Sequence, residues 1–319
     1  MGKLIEVNHL KKYFEVHGGF LHAVDDITFS IEAGKTVGIV GESGCGKSTL
    51  GRILLHLLDS TDGQIIFDGK DITHVNRKEL SALRKQMQMI FQDPFSSLNP
   101  RMTIYQTIAE PMKIAGSYTA KQIDERVYRM MDTVGLARRL VNAYPHELDG
   151  GRRQRIGIAR ALVLQPKFIV CDEPVSALDV SIQAQIINLL LDIQEQMGLT
   201  YVFITHDLMV VRYISDEIIV MYLGQIVEKA FSEELFGHQR HPYTKALLSA
   251  APIPNPHIKK RRVALKGELA SPINPAPGCR FAVRCPHAKE VCFTKSPSLE
   301  EVSGNHFVAC HLVHTEMIN

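Results

Sequence analysis

The sequence predicts an α/β fold, a mixed or largely parallel sheet flanked by helices, with an all-helical insertion and a small cysteine-containing extension at the end. Short apolar runs rich in β-branched residues, at Thr36–Val40, 168–171 and Thr200–Ile204, are interleaved with helical patterns at 47–58 and 182–196. That alternation is the mark of strand–helix–strand units. From Pro94 to Ala161 the pattern turns helical, as in 121–134, where Ile123, Val127, Met130, Met131 and Val134 recur on one face.

The opening segments 4–7 and 23–31 alternate apolar and polar residues as strands do, and end at the turn Glu32-Ala33-Gly34-Lys35. Immediately after the run Thr36–Val40 comes Gly41-Glu42-Ser43-Gly44-Cys45-Gly46-Lys47-Ser48-Thr49. This fits the G-x-x-x-x-G-K-[ST] phosphate loop and lies where that loop must lie, between a strand and a helix. Its glycines let the backbone fold tightly, so that amide groups and a helix N-terminus face negative charge. Lys47 supplies a point charge for the β- and γ-phosphates, and the Ser48 hydroxyl a ligand for Mg²⁺. The run 168–171 delivers Asp172 and Glu173 at its C-terminal end, where ligand sites on such sheets lie. Asp172 suits Mg²⁺, and Glu173 suits polarising an attacking water.

At 319 residues the chain exceeds one compact domain of ordinary size. Pro252, Pro254 and Pro256, followed by Lys259-Lys260-Arg261-Arg262, predict a linker. The expected division is a nucleotide-binding domain over 1–255, its helical subdomain at about 94–161, and an extension over 256–319. The basic run reads as a solvated strip. Lys and Arg total 36 against 34 for Asp and Glu, a balance that argues against a general nucleic-acid binder. No apolar stretch is long enough to cross a bilayer, and the opening Met1-Gly2-Lys3-Leu4-Ile5-Glu6 lacks the apolar core of a secretion signal. Any membrane role is therefore expected to come through a partner.

With its phosphate loop and acid pair the chain resembles P-loop ATPases, and further motifs narrow the resemblance to ABC ATPases with a RecA-like core. Gln92, in Phe91-Gln92-Asp93-Pro94, matches the Q-loop glutamine, for which the resemblance implies Mg²⁺ sensing and coupling to a membrane subunit. Ser176-Ala177-Leu178-Asp179 resembles the D-loop, and His206 the switch histidine that contacts the γ-phosphate. Tyr13 matches the aromatic that stacks on adenine; its neighbour Phe14 is the alternative, and both also read as packing residues.

The signature departs from the family. Where ABC ATPases carry Leu-Ser-Gly-Gly-Gln, this chain has Leu148-Asp149-Gly150-Gly151-Arg152. The family's serine offers a hydroxyl donor to phosphate, whereas Asp149 is a negatively charged acceptor that repels it, an effect Arg152 partly offsets. Two readings follow: a weakened site on the partner's nucleotide, or an aspartate that simply caps the next helix.

Within ABC ATPases the chain is similar to the dipeptide/oligopeptide importer group, which includes nickel importers, and to the second of its paired ATPases. The carrying residues are the loop through Arg52, the stretch from Gln92 to Arg101, Arg240-His241-Pro242-Tyr243-Thr244-Lys245-Ala246-Leu247-Leu248, and Gly267-Glu268-Leu269-Ala270-Ser271-Pro272. The resemblance implies an iron–sulfur cluster of the four-iron type on Cys279, Cys285, Cys292 and Cys310. Structural zinc and unligated or disulfide-bonded cysteines are the alternatives. It also implies Mg-ATP as substrate and a place at the cytoplasmic face of the inner membrane. The implied partners are a second ATPase in a heterodimer, two transmembrane permeases and, indirectly, an extracytoplasmic peptide-binding protein, with no nucleic acid. The competing expectations are a nucleotide-gated subunit with weak hydrolysis and a soluble ABC ATPase of DNA repair or translation.

Overall fold

The computed structural model describes residues 2–250 and 271–313. The predicted linker around Pro252 and the basic run Lys259-Lys260-Arg261-Arg262 lie outside the described residues, as does the expected boundary at 255/256.

The described chain forms two compact units. One holds Lys3–Ile31, Thr36–Thr73 and the chain from Ile204 onward. Its first sheet is built on the long strands Lys3–Val16 and Gly19–Glu32, with Asp62–Phe67 antiparallel to the former, Ile5 facing Phe67. Val7, Leu10, Val24 and Ile27 are fully buried in it. In its second set of strands Thr36–Val40 runs parallel to Glu217–Tyr222, Val40 facing Val220, and Gln225–Phe231 returns antiparallel. Two late strands, Glu300–Ser303 and His306–Val308, extend this edge, with Glu228 facing Val308. Every residue of Thr36–Val40 is buried, which is why it reads as an unbroken apolar run.

The other unit centres on His74–Phe203. Here the neighbouring strands run in the order Thr200–Ile204, Phe168–Asp172, Met87–Ile90, the last two parallel with Met87 opposite Phe168. The stretch predicted as helical contains Pro94–Ser97, Ile104–Ala115, Ala120–Thr133 and Gly150–Leu162, and no strand among its described residues. Two of these helices start from capping boxes, Thr103 with Gln106 and Thr119 with Gln122, each satisfying two otherwise orphaned amides. Ile123, Val127, Met130 and Met131 form the buried face of Ala120–Thr133.

Two expectations need revising. The helix after the phosphate loop ends at Leu54 rather than 58, because the chain turns at His56, whose φ is +51°. The strands at the start are longer than 4–7 and 23–31, since Lys3–Val16 and Gly19–Glu32 continue as paired, half-exposed ribbon beyond their apolar stretches. Among the described residues no helix is long and apolar enough to cross a membrane.

Candidate functional site

The phosphate loop is built from backbone geometry. Gly41, Gly44 and Gly46 adopt φ values of +153°, +77° and +103°. A Cβ on Gly41 would lie 2.2 Å from the Met221 carbonyl, and one on Gly46 2.0 Å from that of Ala23, so no other residue fits. Gly46 starts the helix Lys47–Leu54 with no side-chain cap and no acid in the first turn, so the positive end of the helix dipole is not offset there by a side chain. Lys47 is 6% exposed; its Nζ donates to the carbonyls of Gly41 (2.8 Å) and Glu42 (2.9 Å) and lies 3.8 Å from the Cys45 sulfur. Burial raises the Cys45 thiol. Ser43 and Gly44 are exposed, and Ser48 and Thr49 half-buried.

His206 belongs to the same unit. The Thr205 N–H donates to Ile39 O (3.2 Å), which sets exposed His206 beside the end of the strand feeding the loop. Tyr13 stacks on His22 with ring centroids 3.9 Å apart, and its hydroxyl donates to Asp25. Burial is the main cause pushing the Tyr13 hydroxyl well above its usual range, reinforced by that bond. Asp25 N–H donates to Gly224 O (2.8 Å) and Gly224 N–H to Cys45 O (2.9 Å), tying the tyrosine's partner to the loop. Phe14 lies under the Lys12 ammonium, 5.1 Å from its centroid.

In the other unit, Ile90 faces Cys171 across parallel strands, so Gln92 and Glu173, each two residues on, emerge side by side. Gln92 Nε2 donates to Glu173 Oε2 at 3.1 Å. Asp172 is 3% exposed. Glu173 holds φ +46°, a left-handed conformation that costs about 1 kcal/mol or more for a non-glycine residue and recurs at functional sites. Asp179 caps the helix Val180–Met197, accepting from Ile182 N–H (3.1 Å) and the Ser181 hydroxyl (2.8 Å), bonds that hold its carboxyl below the usual range. Asp149 likewise caps Gly150–Leu162: its Oδ1 accepts from Arg152 N–H at 2.8 Å, and Oδ2 lies 3.4 Å from the Arg152 guanidinium. A Cβ on Gly151 would approach Ile182 Cγ2 to 2.7 Å, and one on Gly150 Leu178 Cδ2 to 3.2 Å, so both glycines let the helix sit close to Val180–Met197.

The iron–sulfur cluster expected on Cys279, Cys285, Cys292 and Cys310, and its zinc alternative, are overturned. Among the described residues no group of three or more His, Cys, Asp or Glu is placed to hold a metal ion, and all four cysteines are free. Buried Cys292 accepts from Lys289 N–H (3.5 Å) at the start of the helix Glu290–Thr294, and its carbonyl takes the Cys279 N–H (2.7 Å). Burial pushes the Cys279 thiol up to about 11 and raises those of Cys285 and Cys310.

Sequence reasoning overlooked four residues around the loop: Asp25, Glu42, Arg280 and Arg284. Arg284 grips Glu42 with both Nη atoms, at 2.8 and 3.1 Å, and Arg280 pairs with Asp25. Glu42 occupies one of the motif's free positions and the arginines lie far along the chain, so no local signal marks them.

A phosphate loop on a strand–helix turn, with an acid pair at the end of another strand, defines the class of P-loop nucleoside-triphosphate hydrolases. Residues 24–176 match the family described as ABC transporter, and residues 227–292 the oligopeptide/dipeptide transporter C-terminal region. The chain is 50% identical to the oligopeptide transport ATP-binding protein AppF of Bacillus subtilis, over 97% of each chain. It is also 50% identical to the oligopeptide transport ATP-binding protein OppF of Haemophilus influenzae, over 96% of this chain and 96% of that protein. A dimeric ATP-binding cassette, MJ0796, solved in a post-hydrolysis state with ADP and Pi, superposes with a TM-score of 0.66 at 28% identity, over 72% of this chain and 99% of its own. The chain belongs to the ABC-transporter ATP-binding family, in its oligopeptide/dipeptide group, and has that family's RecA-like fold with mixed sheet and inserted helices.

Proposed function

We propose that this chain is the ATP-hydrolysing motor of an importer for dipeptides or oligopeptides, a peripheral subunit at the cytoplasmic face of the membrane. The observation that carries the reading is identity of 50% over nearly the whole length to proteins named as oligopeptide transport ATP-binding subunits. The proposed partners are a second ATPase subunit, two transmembrane permeases and, indirectly, an extracytoplasmic peptide-binding protein.

In this reading the triphosphate binds at the amides from Gly41 to Thr49, with Lys47 turning from loop carbonyls to phosphate oxygens. A hydroxyl (Ser48), a buried carboxylate (Asp172) and an amide (Gln92) are the oxygen donors magnesium takes, and these residues would hold it. Bound magnesium supplies charge neutralisation on the transferring phosphoryl group. Glu173 accepts a proton from the attacking water, oriented meanwhile by Gln92, and His206 steadies the γ-phosphate. Tyr13 receives the adenine. Asp149 and Arg152, in place of serine and glutamine, favour a heterodimer whose two sites are unequal.

The test is hydrolysis and Mg-dependent ATP binding in the complex reconstituted with its permeases. Lys47→Ala is expected to lose both, while Glu173→Gln keeps binding and slows hydrolysis by about 10²- to 10³-fold. Turnover at the parental rate in Lys47→Ala would end the proposal. Equal losses from Glu173→Gln here and from the matching change in the second ATPase would remove the asymmetry.

A further inference from the structure

The C-terminal extension reaches back to the phosphate loop through two arginines. Arg284 binds Glu42 with a fork-to-fork pair of hydrogen bonds, 2.8 and 3.1 Å, and donates to the Tyr222 hydroxyl at 3.4 Å. The side chains of Arg284 and Glu42 keep only 11% and 24% of their exposure. Glu42 is an awkward residue for an anion site, because its carboxylate sits in the very loop that receives a triphosphate, and like charges in a partly dry setting repel. Arg284 is the cation set against it.

The same arrangement recurs beside Tyr13. Arg280, 6% exposed, pairs with Asp25, the carboxylate that also accepts the Tyr13 hydroxyl. It donates as well to the Leu223 carbonyl, next to Gly224, whose N–H holds Cys45 O.

Between the two arginines in sequence lies Phe281, buried in an aromatic cluster. This ring is 1% exposed and packs edge-on against Tyr222 (5.3 Å, 85°) and at a tilt against Tyr243 (5.4 Å, 56°), and the Tyr243 hydroxyl accepts the Glu42 N–H at 2.9 Å. The carboxylate of Glu42 is thus held by an arginine of the extension, and its backbone by a tyrosine that packs against the extension's Phe281.

We propose that Arg284 is a positioning residue for the nucleotide: by neutralising Glu42 and fixing its carboxylate, it lets the C-terminal extension set the affinity of the phosphate loop for Mg-ATP. Arg280 plays the corresponding part for Asp25 and Tyr13. The inference rests on the phosphate loop being the ATP site, and the experiment separates the two.

In the full chain, Mg-dependent binding of trinitrophenyl-ATP is titrated for the parent, Lys47→Ala, Arg284→Gln and the double variant Glu42→Gln/Arg284→Gln, with melting curves alongside. Arg284→Gln is expected to weaken binding on the order of tenfold, because Glu42 then faces the phosphates unneutralised. Removing that carboxylate in the double variant returns affinity to within about threefold of the parent, which loss of a mere anchor would not do. The proposal is overturned if Arg284→Gln binds as the parent does, or if the double variant stays as weak as the single one while Lys47→Ala has lost binding. Parental binding by Lys47→Ala overturns the ATP-site reading itself, and this proposal falls with it.

Discussion

The phosphate loop is held by its backbone, whereas the extension that touches it is held by a few large side chains. From Gly41 to Gly46 the chain is fixed by positive φ angles and by carbonyls of Ala23 and Met221 too close to admit a Cβ. From Cys279 to Cys292 the anchors are instead Phe281 in its aromatic cluster and the ion pairs of Arg280 and Arg284. A backbone-held loop is sensitive at each glycine whose torsion or close approach fixes it. A side-chain-held segment depends on a handful of residues.

The sharpest way to break this comparison is to exchange the anchors. Phe281→Ala is expected to lower unfolding free energy by about 3 kcal/mol, the usual loss for a buried aromatic, against under about 1 kcal/mol for Cys285→Ser, which is only half-buried. Denaturant melts of the full chain would decide it, and the reverse order would return the structural weight to the thiols.

An effect of similar size is expected from pH. His241 lies 5.7 Å from Phe281 between ring centres, is 1% exposed, and accepts the Tyr243 N–H on Nδ1 at 3.1 Å. Burial pushes it down to about 4, opposed by the nearby Glu228 carboxylate. Its folded value lies below that of an unfolded histidine, about 6.5. Between these values the unfolded chain binds more protons, so stability is fully present above pH ~6.5 and falls as pH drops towards 4. The shift corresponds to roughly 3 kcal/mol, and His241→Asn, which keeps an acceptor for Tyr243, should flatten the slope in that window. An unchanged slope would place the titration elsewhere.

The smallest effect tests the altered signature. Asp149→Ala removes a helix cap and is expected to cost about 1 kcal/mol, while Asp149→Ser keeps the cap and stays within about 0.5 kcal/mol of the parent. Equal losses in thermal melts would show that capping is not what Asp149 does.

Much of the site was legible because its signals are short-range. The phosphate loop and the acid pair after 168–171 each follow from a few consecutive residues. Glu173 illustrates the limit: its identity was readable, but not its φ of +46° or the bond from Gln92, 81 positions away. The capping alternative for Asp149 was equally open in sequence, and its bond to Arg152 N–H appears only once the helix is placed. The cysteines misled because their spacing, with five, six and seventeen residues between them, says nothing of where the intervening chain sends each sulfur.

By itself the sequence determined where an anion must meet the backbone, since glycine alone satisfies the torsions of a tight strand-to-helix turn and the lysine follows it directly. Tertiary structure decided what neutralises Glu42, from 242 positions away, and that Phe281 of the extension is buried against Tyr222 and Tyr243. The physical reason is range: torsional restrictions act within a few residues, whereas burial and ion pairing depend on which distant surfaces the folded chain brings together.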